Sequence, residues 1–283
     1  MLNRQRVLLD FLKVGGHPLL RTELTQWSFL LRHEYNSAGG SAFYDFVPYQ
    51  NGPFSFALHQ EIGKLVEQGY VDDASDKSWS LRDQLAYTSP DSEVQRDILR
   101  IVKRFGDWTT ERLLNYVENE FPAYTVNSQH PKLAERPQTD LAVFTAGYEG
   151  ESVDAFLNKL VSAGIRCLID VRKNPIARRY GFHRTTLKQL TGNLDIDYVH
   201  VPELGIPSEL RQNLDTQADR ESLFDNYERT TLADNDVALD QVADLVRAKP
   251  SVLVCMEAEA VCCHRSRVAG HIAERTSLEV VNL

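Results

Sequence analysis

From Leu141 onward the sequence keeps one rhythm: a short apolar, β-branched run, then a stretch with helical spacing, then another run. The runs are AVFTAGY, CLIDVR, DYVHVPEL, SVLVCM and the terminal LEVVNL. Between them stand SVDAFLNKLVSAG, which Gly164 would stop, and DNDVALDQVADLVRAK. Strands without apolar–polar alternation are buried on both faces, and strands alternating with helices pair in parallel. Residues 141–283 are therefore expected to form an α/β domain, a mostly parallel sheet sandwiched by helices.

The first 125 residues lack that rhythm. RQRVLLDFLKV and TELTQWSFLLRHE read as helices, the second with Thr22 as a possible cap. SFALHQEIGKLVEQG carries Leu58, Ile62, Leu65 and Val66 on one face and Gly69 as its stop. FYDFVPYQNGPFS ends in a turn signal, and YVDDASDKSWSLRD reads as two extended pieces around a polar turn. Helices followed by a small β-wing predict a mainly helical, winged-helix-like domain over 1–125. Its core would be 1–85, with extra helices over 90–122. TVNSQHPKLAERPQT, polar with two prolines, predicts a linker within 126–140. The second helix offers only Arg32 and His33 as basic groups, so recognition of DNA and contact with a protein partner both stay open.

Composition narrows the function classes. No apolar run approaches the ~18 residues that span a bilayer, and MLNRQRVLLDFLKVGG is too polar and interrupted for a signal peptide. Four cysteines, three of them crowded between Cys255 and Cys263, do not make a disulfide framework. The expectation is a cytoplasmic protein without membrane contact. A net charge of −9 opposes general coating of nucleic acid but permits a local basic surface.

Three strand ends carry polar residues that burial does not explain. TAGYEGES places Gly147 and Tyr148 before a helix start, either as an anion-binding turn or as a tight β–α turn. DVRKNPIARRYGFHR brings Asp170, Arg172, Lys173, Arg178, Arg179 and Arg184, and no further acid occurs until Asp195. Arginine forks match phosphate and the interleaved aromatics could stack on a base; the competing reading is a solvated loop. VLVCMEAEAVCCHRSRVAGHI puts Cys255, Glu257, Cys262, Cys263, His264 and Arg265 at a strand end and the following helix start. A thiolate there gains from the helix dipole and from adjacent cations, while Cys255 could equally be a small buried residue. Two or three cysteines with a histidine also suggest zinc, but the absence of a C-x-x-C pair and the adjacency of Cys262 and Cys263 speak against a metal site.

Taken in order, TAGYEGESVDAFLNKLVSAGI, LIDVRKNPIARRYGF, YVHVPELG and VLVCMEAEAVCCHR resemble the signature segments of domain of unknown function 488. The resemblance spans about Val143 to Ala273. It carries over Thr145, Gly147, Asp170, Arg172, Pro175, Gly181, Phe182, Tyr198, His200, Leu204, Gly205, Cys255, Glu257, Cys263, His264 and Arg265 as family motif positions. Tyr148-Glu149 depart from the His-Ser pair of many relatives. The resemblance brings no reaction with it. YDFVPYQNGPFSFALHQEIGKLVEQGYV also resembles the Panacea family of antitoxin-like and regulatory domains, over about thirty residues.

The resulting expectation is an enzyme acting on a phosphate-bearing substrate, a nucleotide or nucleic acid. Arg172 and Arg265 would hold the anion, with His200, Gly147, Tyr148, Arg178 and Arg179 in the same binding surface. Glu257, Asp170 or His264 would move protons and Cys255 would be the nucleophile. No cofactor is named by the residues. One alternative is a non-catalytic nucleic-acid-associated regulator or defence component, recruited through the first domain. Another is a rhodanese-like sulfurtransferase or phosphatase with Cys262 and Arg267 in a C-x-x-x-x-R loop, although CCHRSR has no glycine to help wrap an oxyanion. Parallel strands present their carboxyl ends on one edge, so Asp170, Arg172, His200, Cys255 and Glu257 are expected to converge there.

Overall fold

The computed structural model spans residues 1–283 and is described at every position except 76, 83–85, 130–131 and 212–216. The chain forms two compact units, Met1–Glu135 and Arg136–Leu283.

The first unit contains α1 (Asn3–Gly15), β1 (Leu19–Leu20), α2 (Arg21–Glu34), β2 (Val47–Tyr49), β3 (Gly52–Phe54), α3 (Phe56–Glu67), β4 (Val71–Ser75), β5 (Ser78–Leu81), α4 (Ser92–Phe105) and α5 (Thr110–Glu120). Strands β1, β5 and β4 form an antiparallel sheet in that order, and β2 and β3 pair as a hairpin. Ser55 caps α3 by accepting from Leu58 N, and Gly69, at φ 79°, follows its end as anticipated. Thr22, however, does not cap α2. The helix begins two residues earlier, at Arg21 with Leu20 as its cap: Arg21 N donates to Lys77 O, and Glu23 accepts from Leu20 N at 2.9 Å in place of a capping hydroxyl. The core gathers around Phe29, whose ring meets Phe46, Phe121 and Tyr124 edge-on. In the stretch expected as a linker, Asn127 Nδ2 donates to Pro48 O and Gln129 N to Gln50 O, so its start packs on the β2–β3 hairpin. Residues 130–131 of that stretch lie outside the described residues.

The second unit contains β6 (Val143–Gly147), α6 (Val153–Ser162), β7 (Cys167–Asp170), α7 (Arg184–Gly192), β8 (Asp197–His200), α8 (Gln217–Tyr227), α9 (Asp236–Ala248), β9 (Ser251–Cys255), α10 (Arg265–Thr276) and β10 (Val280–Asn282). All five strands pair in parallel, in the order β10–β6–β9–β7–β8. Every residue of β6, β7 and β9 is buried, so both faces of the central strands are covered, whereas β8 and β10 are partly exposed at the edges. The chain inserts β9 between β6 and β7, which brings its carboxyl end between theirs. Among the described residues no helix is long and apolar enough to cross a membrane.

Candidate functional site

Register places the predicted site residues along one edge. Ala146, Val254, Asp170 and His200 share one rung of the sheet, and Gly147 pairs with Cys255 on the next. The loop after β9 then folds back over that edge. Tyr148 N and Glu149 N both donate to Met256 O, and a Cβ on Gly147 would overlap the Glu257 carbonyl oxygen. Gly147 is thus required by close backbone approach, and no anion is needed to explain it.

Two sets of polar residues stand on this edge, and they differ in kind. The first is closed upon itself. Arg172 donates from Nε to Asp170 Oδ1 at 2.8 Å and from Nη2 to Asp170 Oδ2 at 2.6 Å; Nη1 reaches Tyr148 Oη and Phe182 O. Tyr198 Oη donates to Asp170 Oδ2, and the His200 ring donates from Nε2 to Arg172 O at 2.9 Å. Asp170 is fully buried and Arg172 nearly so. Burial opposes the guanidinium's charge, but Asp170 outweighs it and holds the Arg172 pKa above the usual arginine value. The Tyr148 ring stacks on Phe182 at 4.0 Å between centroids. Arg265 is likewise engaged internally: it donates to the Glu257 and Ala258 carbonyls and to Thr145 Oγ1, clamping the loop to β6. Asp170, Arg172, Tyr148, His200 and Arg265 therefore meet where expected, but as a hydrogen-bonded scaffold.

The second set faces a cleft. Cys255 ends β9, Glu257 lies in the following loop, and Cys263 and His264 sit at the entrance to α10. Cys255 Sγ lies 3.1 Å from Glu257 Oε2 and 3.7 Å from His264 Nδ1, and Cys263 Sγ lies 3.9 Å from the same nitrogen. His264 Nε2 is 3.1 Å from Val171 O. A carbonyl only accepts, so Nε2 carries a proton, and Nδ1 is the ring nitrogen that faces both sulfurs. Cys263 donating to it holds the Cys255 thiol well below its usual range against the effect of burial, with His264 and Glu257 assisting. Burial and the neighbouring Cys255 push the Glu257 carboxyl up, and burial with the Cys255 contact raises the Cys263 thiol. These groups titrate as one unit. The cleft has a volume of about 500 Å³ and is lined by Glu149, Ile206, Arg220, Leu223, Phe224, Met256, Glu257, Glu259, Cys262 and His264.

Arg178 and Arg179 lie in the loop beyond β7, both exposed with Lys173, Arg184 and Lys188. Arg179 donates to Gly150 O, in the loop whose Glu149 lines the cleft. Cys262 is partly exposed beside Arg220, while Arg267 lies 3.8 Å from Asp225 and 3.6 Å from Glu228, so it does not arch over Cys262 as an oxyanion loop would require.

Sequence reasoning missed Glu149 and Arg220 as cleft residues. Arg220 belongs to α8, where QADRESLFDNY gives only a faint apolar stripe, so nothing signalled a helix against the cleft. The spacing argument against a metal weighed the adjacent Cys262 and Cys263; the fold sets Cys263 and His264 beside Cys255 instead.

No curated protein and no solved structure matches the chain. The match to a known family begins just after β6, so Thr145, Gly147 and Tyr148 lie before it while Asp170, Arg172, His200, Cys255, Glu257, Cys263, His264 and Arg265 lie within it. Residues 152–272, in the C-terminal half of the chain, match the model of the family described as Domain of unknown function DUF488.

Proposed function

We propose that the second unit is an enzyme acting on a phosphate-bearing substrate, a nucleotide or a nucleic acid, in the cleft at the carboxyl edge of the sheet. One observation carries this reading. The Cys255–Glu257–Cys263–His264 cluster meets the cleft on the edge from which the loop bearing Lys173, Arg178, Arg179, Arg184 and Lys188 also leaves. Exposed guanidinium groups meet phosphate bidentately, and here they belong to Arg178, Arg179 and Arg184, while Arg172 and Arg265 shape the floor. Glu257 is the proton-transfer group, since its carboxyl both touches Cys255 and lines the cleft. Cys255 lies buried behind it, and His264 lines the cleft beside it. Arg220 supplies a cation to the opposite wall.

The first unit serves recruitment in this reading. Its order of α1, β1, α2, α3 and the β4–β5 pair, with β1 joining the sheet, supports a winged-helix-like arrangement. The exposed side of α3 offers Lys64 beside Glu67, which suits a protein partner better than a phosphate backbone.

The test is a thermal-shift screen of the full chain against nucleotides and oligonucleotides, followed by turnover of whichever compounds raise the midpoint. Glu257→Gln should keep the stabilisation and lower turnover by about 10²-fold or more, the scale of a lost general acid or base. A screen without a stabilising phosphate compound, or turnover unchanged in Glu257→Gln, would overturn the reading.

A further inference from the structure

The geometry points to a metal site made of Cys255 Sγ, Cys263 Sγ and His264 Nδ1, holding one zinc-class divalent ion with a fourth position on the cleft side.

The three ligand atoms lie within 4.8 Å of one another, and all three residues are buried. Tetrahedral zinc, with Zn–S of ~2.3 Å and Zn–N of ~2.1 Å, requires S···N separations of about 3.6 Å and an S···S separation of about 3.8 Å. The two S···N distances here are 3.7 and 3.9 Å, within a few tenths of an ångström of that requirement, and the S···S separation is no more than 4.8 Å. Nε2 is committed to the Val171 carbonyl, which leaves Nδ1, the nitrogen facing the sulfurs, to ligate. A histidine ligand whose other nitrogen donates to a backbone carbonyl is the usual outer-shell arrangement around a protein-bound metal. Burial favours this assignment over nucleophilic attack by Cys255: a nucleophile must be reached by the substrate, whereas a ligand must be reached only by an ion. Both cysteines ligate as thiolates, losing on binding any proton they still hold, and two thiolates balance the charge of a divalent ion. Soft thiolates with imidazole select zinc-class ions over magnesium or calcium. Three protein ligands leave one position for water or substrate, the pattern of catalytic zinc. His264 and Glu257 line the cleft, so that position opens beside a carboxyl able to move a proton.

The inference goes beyond the phosphate reading and fails separately from it, because ion binding is measured without any substrate. The reduced full-length chain, stripped with a chelator, is titrated with Co²⁺ and with Zn²⁺. The expected result is one equivalent bound, with thiolate-to-cobalt charge-transfer absorption and tetrahedral d–d bands that Zn²⁺ displaces. Cys263→Ser and His264→Gln, checked for folding by circular dichroism, should weaken binding by at least about tenfold, no less than the loss of an outer-shell partner. Cys262→Ser, next in sequence but outside the cluster, should bind as the parent does. Sub-stoichiometric binding, or a cobalt spectrum without thiolate bands in the parent chain, overturns the site, and neither reading depends on a variant that folds. Binding unchanged in folded Cys263→Ser overturns it as well.

Discussion

At the scale of single residues, the site separates groups that hold its shape from groups that face its opening. Arg172 illustrates the first kind. Its guanidinium makes four hydrogen bonds, to Asp170, Tyr148 and Phe182, all inside the protein. Removing one partner of such a buried pair leaves an uncompensated charge, which costs ~3–5 kcal/mol, whereas the same change on an exposed pair costs under ~1 kcal/mol. Asp170→Asn is therefore expected to lower unfolding stability by about 3 kcal/mol or more. Lys249→Ala, which breaks the exposed contact to Asp197, should shift it by less than about 1 kcal/mol. Denaturant midpoints compare the two directly; similar small losses in both would show that the Asp170–Arg172 pair is not the strut assigned here. Sequence alone could not say where Arg172 turns, because a D-V-R segment reads the same whether the arginine faces outward to an anion or back to the aspartate two residues before it, as it does here.

At the scale of elements, what could be read in the sequence follows the strength of the periodic signal. The five strands of the second unit were plain because β-branched runs between helical stretches have few other readings. Their order was not: inserting β9 between β6 and β7 depends on pairings far apart in sequence. α7 and α8 gave little signal, RTTLKQLTG burying only Leu187, Leu190 and Thr191, and α8 forms a wall of the cleft. In the first unit, α2, α3 and the hairpin meet at His59, whose ring stacks on Phe54 and contacts Thr25 Oγ1 at 3.0 Å. Burial, with Arg21 nearby, lowers its pKa to about 4. An unfolded histidine titrates near ~6.5, so between these values the unfolded chain binds a proton that the folded unit does not. Stability of this unit should rise with pH across that window and fall by up to ~1.4 kcal/mol per unit as pH drops from about 6.5 toward 4. His59→Gln should remove that part of the slope in pH-dependent denaturant melts; an identical slope would assign it to other groups.

For the whole molecule, charge is unevenly distributed. The chain carries a net −9, yet Lys173, Arg178, Arg179, Arg184 and Lys188 all stand exposed on the loop beyond β7 and in α7, close in sequence to the pocket's scaffold. On an acidic protein, exposed cations grouped in this way can attract a polyanion locally while the net charge repels it elsewhere, which is the arrangement the proposed function requires. The most direct measurement is the affinity of the full chain for a labelled single-stranded oligonucleotide, read by fluorescence anisotropy across a range of salt concentrations. Contacts from all five cations predict a log–log salt slope of up to about −3.5, and Arg178→Glu with Arg179→Glu should flatten it by at least ~1.4. A flat salt response in the parent chain, or a slope untouched by reversing those two arginines, would contradict the account.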